Sequence, residues 1–181
     1  MRIQTGFNLL VLALMMLKQT CGCANAADAP TEFKVGEFNF KRPARWEWVE
    51  PTSPMRKAEL KIADAKGKTE IIFFNFGAGQ GGGTQANVER WLGQFQEPRD
   101  QLKSKTESIT VNGRKITYVQ AQGTYMSGAP GGPKAPLKEH GLLGAIIESD
   151  QGSVFVRMTG PIEVVNASRD EFKQMIENKS K

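Results

Sequence analysis

The densest chemical signal in the chain is the run Gly77, Ala78, Gly79, Gln80, Gly81, Gly82, Gly83 and Thr84. Glycines at this density let backbone N–H groups converge. A helix starting directly after them adds the positive end of a helix dipole, so the run could hold a phosphate or another anion. Two fingerprints test that idea. A P-loop requires lysine directly before its Ser/Thr, and here Gly83 precedes Thr84. Gly77, Gly79 and Gly82 do match G-x-G-x-x-G, but five glycines in seven residues produce that match cheaply. A dinucleotide site also needs a parallel βαβ unit, and an Asn-Gly hairpin signal farther along argues for antiparallel pairing. The run reads first as a flexible connector, second as an anion or ligand loop, and last as a nucleotide site.

His140 is the only histidine. A nucleophilic or metal mechanism would need it oriented by a carboxylate, and its nearest candidate is Glu139. Adjacent residues of a strand point to opposite faces, so that pairing is poor. No H-x-x-H, H-E-x-x-H or Asp-rich metal loop occurs, so neither metal nor cofactor is expected. Trp46 and Trp48 flank Glu47 and share one face of an extended chain; core is the first reading and an aromatic ligand platform the second. Lysine and arginine are scattered, with short clusters at Lys41-Arg42, Arg56-Lys57 and Arg114-Lys115. A nucleic-acid binder concentrates them on one face with aromatics between, so no nucleic-acid partner is expected.

The elements that must position these residues follow from periodicity. Residues 57–63 and 69–76 read as strands around a turn at Asp64-Ala65-Lys66-Gly67. The second of them, with Leu142 to Ile147 and Val154 to Met158, is apolar on both faces, which marks a strand covered above and below. Asn112-Gly113 between alternating runs predicts a two-residue turn, setting Ile109 opposite Ile116 and Val111 opposite Arg114. Ile109, Val111, Ile116 and Tyr118 are then assigned to the core.

Two helices stand out. Thr84 is expected to cap the first, with Val88, Trp91, Leu92 and Phe95 as its apolar stripe and Pro98 ending it. Ser168-Arg169-Asp170-Glu171 matches a capping box for the second, whose stripe is Phe172, Met175 and Ile176. Lys173 and Lys179 fall in its C-terminal half. The glycine- and proline-rich stretch 127–136 is expected to be a long loop.

At the N-terminus, Met1-Arg2, an apolar run of 11 residues from Phe7 to Leu17 and the ending Ala24-Asn25-Ala26 have the zones of a secretory signal. The run is shorter than the roughly 20 residues a spanning helix needs. The expected organisation is a signal over 1–26, an exposed tail over 27–32 and one domain over 33–181, with no transmembrane segment after cleavage. Arg2 and Lys18 are the only charges of the signal, so the remainder carries a net +3. Cys21 and Cys23 would leave with the signal, and the residues before them lack a lipobox pattern, so a lipid anchor is not expected. Signal and composition together have a bacterial, periplasmic character.

The order of these blocks resembles a known family. An aromatic strand leads through Pro43 to Trp46, antiparallel strands follow, then a helix bearing Arg90-Trp91, the Asn-Gly hairpin, two central strands, and a last helix after Thr159-Gly160-Pro161. This is similar to the PsbP-type α/β/α sandwich, an α+β fold with a mostly antiparallel central sheet, and more closely to a group of uncharacterised exported bacterial proteins. PsbP proteins are non-catalytic accessory subunits on the lumenal side of a photosynthetic membrane complex. The resemblance therefore implies an accessory or binding role, with no active site to carry across. The expected function is a periplasmic, non-enzymatic domain docking on an envelope protein through residues 77–83 and 125–139. The alternatives are a small-ligand carrier with Trp46, Trp48 or Trp91 in the wall of a cleft beside the sheet, and a hydrolase with dispersed carboxylates.

Overall fold

The computed structural model describes residues 29–129 and 131–178. The expected signal segment and Lys179 lie outside the described residues. A small hairpin, β1 (Glu32–Val35) and β2 (Phe38–Lys41), precedes β3 (Glu47–Val49), β4 (Arg56–Ile62) and β5 (Thr69–Asn75). Then come α1 (Thr84–Leu92), β6 (Lys103–Val111), β7 (Arg114–Ser127), β8 (Ala135–Ile147) and β9 (Val154–Pro161), followed by α2 (Ile162–Ala167) and α3 (Arg169–Glu177). β3 to β9 form a seven-stranded sheet in the order β3-β4-β5-β9-β8-β7-β6. Every described pairing is antiparallel.

The three doubly apolar runs, β5, β9 and β8, lie side by side in the middle of this sheet. Alternation divides their side chains between two apolar clusters. Ile71, Phe73, Val156, Met158, Leu143 and Ala145 join one, with residues of β1, β2, α2 and α3. Leu142, Ile146 and Phe155 join the other, with Val88, Trp91 and Leu92 of α1 and with Phe95. The sheet is therefore packed on both sides, which is why continuous apolar runs, not alternating ones, occupy its centre.

Several expectations change. The tail is pinned over its described part: Glu32 pairs with Lys41, and Arg42 donates from its backbone N–H to Thr31 (2.8 Å) and from Nε to Pro30 (2.9 Å). The Asn-Gly turn forms as expected, with φ of 52° at Asn112 and 76° at Gly113 and the expected register. Ile116 and Tyr118 are buried, but Ile109 is 36 % exposed. β6 is the last strand of the sheet, so Ile109 has a strand on one side only.

The first helix is capped by Gly83, not Thr84, and ends at Gly93 well before Pro98. Ser168 does not form a capping box. A six-residue helix, α2, runs directly into it, so its hydroxyl donates backwards to the Val164 carbonyl at 2.7 Å. Glu171, the acid that would close the box, instead accepts from Arg45 Nε at 2.6 Å. The expected loop over 127–136 narrows to 128–134: β7 runs to Ser127 and β8 starts at Ala135, and beyond their pairing with β6 and β9 the two strands form an arm that pairs Tyr125 with Leu137 and Ser127 with Ala135.

Candidate functional site

Left-handed φ values at Gly77, Gly79, Gly81 and Gly82, between 67° and 86°, give the glycine run its path. Two close approaches fix it. A Cβ on Gly152, in the turn before β9, would lie 2.5 Å from the Gly77 carbonyl carbon, and one on Gly81 would meet the rings of Phe76 (2.7 Å) and Phe155 (2.9 Å). Asn87, buried in α1, donates from Nδ2 to the carbonyls of Gly81 (2.9 Å) and Gly83 (3.0 Å). The Gln80 N–H bonds Gly77 (3.2 Å), and the Gln80 residue is exposed. At the helix start, the Thr84 hydroxyl donates to Glu148 Oε1 at 2.8 Å, and Lys115 Nζ lies 3.1 Å from the same oxygen. A carboxylate of the chain itself thus already occupies the first turn of α1, where an incoming anion would compete with it.

The three tryptophans do not converge. Trp46 is fully buried on the β1–β2 side, its Nε1 donating to Glu171 Oε2 at 3.2 Å. Trp48 is half-buried, edge-on to Phe33 at 5.4 Å, with Nε1 donating to Glu50 at 2.8 Å. Trp91 belongs to the opposite cluster. His140 follows a bulge at which Glu139 takes φ 53°, and its Nδ1 lies 3.0 Å from the Lys138 carbonyl. It sits near the start of β8, whereas Glu148 and the glycine run adjoin the other end.

The structure does contain a cleft beside the sheet, with other walls. About 300 Å³ opens between α2 and β6–β8, lined among others by Lys103, Lys105, Gln120, Gln122, Asn166 and Arg169. An adjoining cleft of about 410 Å³ shares Lys103 and Gln122 and reaches Glu97 and Glu139. None of the three tryptophans lines either cleft. Arg169 Nη2 donates to Asn166 at 2.9 Å, and its buried Nε has no partner among the described residues. The combination of three cations with side-chain amides suits an oxyanion. Half of this cleft could have been found in the sequence, because the Asn-Gly register puts Lys103 opposite Gln122 and Lys105 opposite Gln120. Arg169 could not, because it depends on α2. Among the described residues, no group of three or more His, Cys, Asp and Glu is placed to hold a metal ion, and no helix is long and apolar enough to cross a membrane.

Beside the cleft, Glu107 lies between Lys105 (2.5 Å) and Lys173 (2.8 Å). Their hydrogen bonds hold its carboxyl down at about 2, against an ordinary 4.5. A pKa lowered by folding stabilises the fold above the unfolded value and loses that contribution as pH falls through the folded one. Stability is therefore expected to drop between pH 4.5 and about 2 by an amount that Glu107→Gln abolishes. Urea midpoints of the two proteins should converge towards pH 2, and a gap independent of pH would refute the assignment.

No protein-family model and no curated protein matches this chain. Solved structures do. Cyanobacterial PsbP from Synechocystis sp. PCC 6803 aligns with a TM-score of 0.52 at 9 % identity, over 87 % of this chain and 94 % of that one. A Pseudomonas aeruginosa protein of unknown function aligns with a TM-score of 0.45 at 15 % identity, over 83 % and 96 %. With its antiparallel sheet, few helices and order of elements, the chain has the PsbP-like α+β fold.

Proposed function

We propose that this chain is an exported, non-enzymatic accessory domain, built as an α/β/α sandwich, that docks on an envelope protein or complex. The observation that carries the reading is the PsbP-like fold, which spans nearly the whole of the cyanobacterial protein. The signal-like residues 1–26 support export to the periplasm. The β7–β8 arm supports docking, since it leaves Leu137 exposed and its tip, residues 128–134, lies beyond the last strand pair, Ser127 with Ala135. The glycine run is the second contact surface. His140, whose ring turns to a backbone carbonyl, fits no catalytic pairing.

Cross-linking of the tagged chain in its native envelope is expected to capture one recurring partner. That partner should be lost when residues 79–83 or the arm tip, residues 128–134, are replaced by an unrelated linker. Absence of a recurring partner, or one indifferent to both replacements, would overturn docking. It would leave the second reading, a carrier of small anions, which the Lys103–Lys105–Arg169 cleft favours. Its probe is a thermal shift on adding inorganic phosphate.

A further inference from the structure

β6 is an open edge. It has nine residues, pairs with β7 without a bulge and contains no proline. β3, the border on the other side, has three residues. Long open edges are normally shortened, bulged or covered, because their outer N–H and C=O groups are a template for another strand.

Which groups face outward follows from the neighbouring ladder. The Glu148 N–H donates to the Lys115 carbonyl at 3.0 Å, so Lys115 turns its backbone groups towards β8. Backbone direction alternates along a strand, so Arg114 and Ile116 turn theirs towards β6, where Val111 and Ile109 meet them. The N–H and C=O groups of Ser104, Thr106, Ser108 and Thr110 therefore point out. The side chains of these four residues are small, hydroxylated and exposed, on one face of the strand. The other face carries Lys103, Lys105, Glu107, Ile109 and Val111.

We propose that β6 pairs with β6 of a second copy of this chain, antiparallel about a two-fold axis at Thr106, joining two sheets into one. The charge register selects both partner and axis. An axis at Ser104 would set Lys103 against Lys105 twice. An axis at Ser108 would leave Lys105 against Val111 and Glu107 against Ile109. An axis at Thr110 would overlap little beyond the turn. Only Thr106 sets Lys105 against Glu107 twice while laying the Lys103 stem over Ile109, the exposed apolar side chain of this strand. Outward backbone groups then meet in register, Thr106 with Thr106 and Ser104 with Ser108, giving about six hydrogen bonds. A strand complementary to itself about one residue is what a two-fold interface requires.

The test is sedimentation of the full chain, kept reduced so that Cys21 and Cys23 cannot cross-link, from low to high micromolar concentration. A reversible monomer–dimer equilibrium is expected, with amide exchange at Ser104, Thr106 and Ser108 slowing as concentration rises. Thr106→Pro removes only an outward N–H, a place where an edge strand tolerates proline, and should weaken association roughly tenfold or more through the lost axial hydrogen bonds. Lys105→Glu should weaken it as well, and adding Glu107→Lys to that variant should restore it. Circular dichroism verifies that each variant is folded. A chain monomeric throughout, association indifferent to Thr106→Pro, or β6 engaged only by a different protein would each overturn the proposal.

Discussion

Trp46→Ala is expected to lower the free energy of unfolding by about 3–5 kcal/mol, the range for truncating a large buried aromatic. Trp46 is fully buried in the cluster that contains Phe40, Phe73 and Phe172. It precedes β3 and meets α3 through Glu171, whose Oε2 accepts from both Trp46 Nε1 and Arg45 Nε. Arg45 Nη2 in turn donates to Ser168 at 2.9 Å, so one small polar link ties the start of α3 to the chain entering β3. Trp46→Phe keeps most of the apolar volume and deletes the indole donor, and should cost about 1–3 kcal/mol. Urea unfolding followed by far-ultraviolet circular dichroism avoids the loss of tryptophan fluorescence. A cost for Trp46→Ala under about 1 kcal/mol would contradict a core role and revive the aromatic platform, whose removal affects binding and not stability.

Signals confined to a strand or its turn were readable in the sequence. β5, β8 and β9 announced central positions by being apolar at consecutive residues. Asn112-Gly113 fixed the β6–β7 register because its two positive φ values admit one common hairpin geometry. What depended on neighbours in space was not readable. Ser168 has a helix-capping sequence, but α2 arrives before it, and six residues hold too little periodicity to announce a helix. Pro136 argued for a loop, yet it lies in the part of β8 beyond its pairing with β9, where a missing N–H leaves no ladder bond unmade. Ile109 fits a core pattern, but its strand is the sheet border. The cleft was only half legible for the same reason: the β6–β7 hairpin supplies its lysines and glutamines, while β8, α2 and the start of α3 supply the rest.

Gly144 in β8 tests the other side of the sheet, and the sign of its effect is informative. A strand glycine costs roughly 0.5–1 kcal/mol relative to alanine, so Gly144→Ala would be stabilising if only the strand mattered. But the Trp91 ring packs against this position, and an added Cβ would fall 2.3 and 2.5 Å from two of its atoms. The strand cannot retreat, because Gly144 pairs with Val119 on one side and Arg157 on the other. Trp91 must move instead, and α1 moves with it. Overpacking of this kind is expected to make Gly144→Ala destabilising by about 1–3 kcal/mol. In a Trp91→Leu background the same substitution should turn neutral or slightly stabilising, giving a coupling of about 1–3 kcal/mol in a double-mutant cycle. A coupling near zero would mean that ring and strand do not constrain one another. Because Asn87 of the same helix ties down the carbonyls of Gly81 and Gly83, displacing α1 also displaces the glycine run. If that run is a docking surface, Gly144→Ala should weaken capture of the partner with no contact residue altered, and the Trp91→Leu background should restore it.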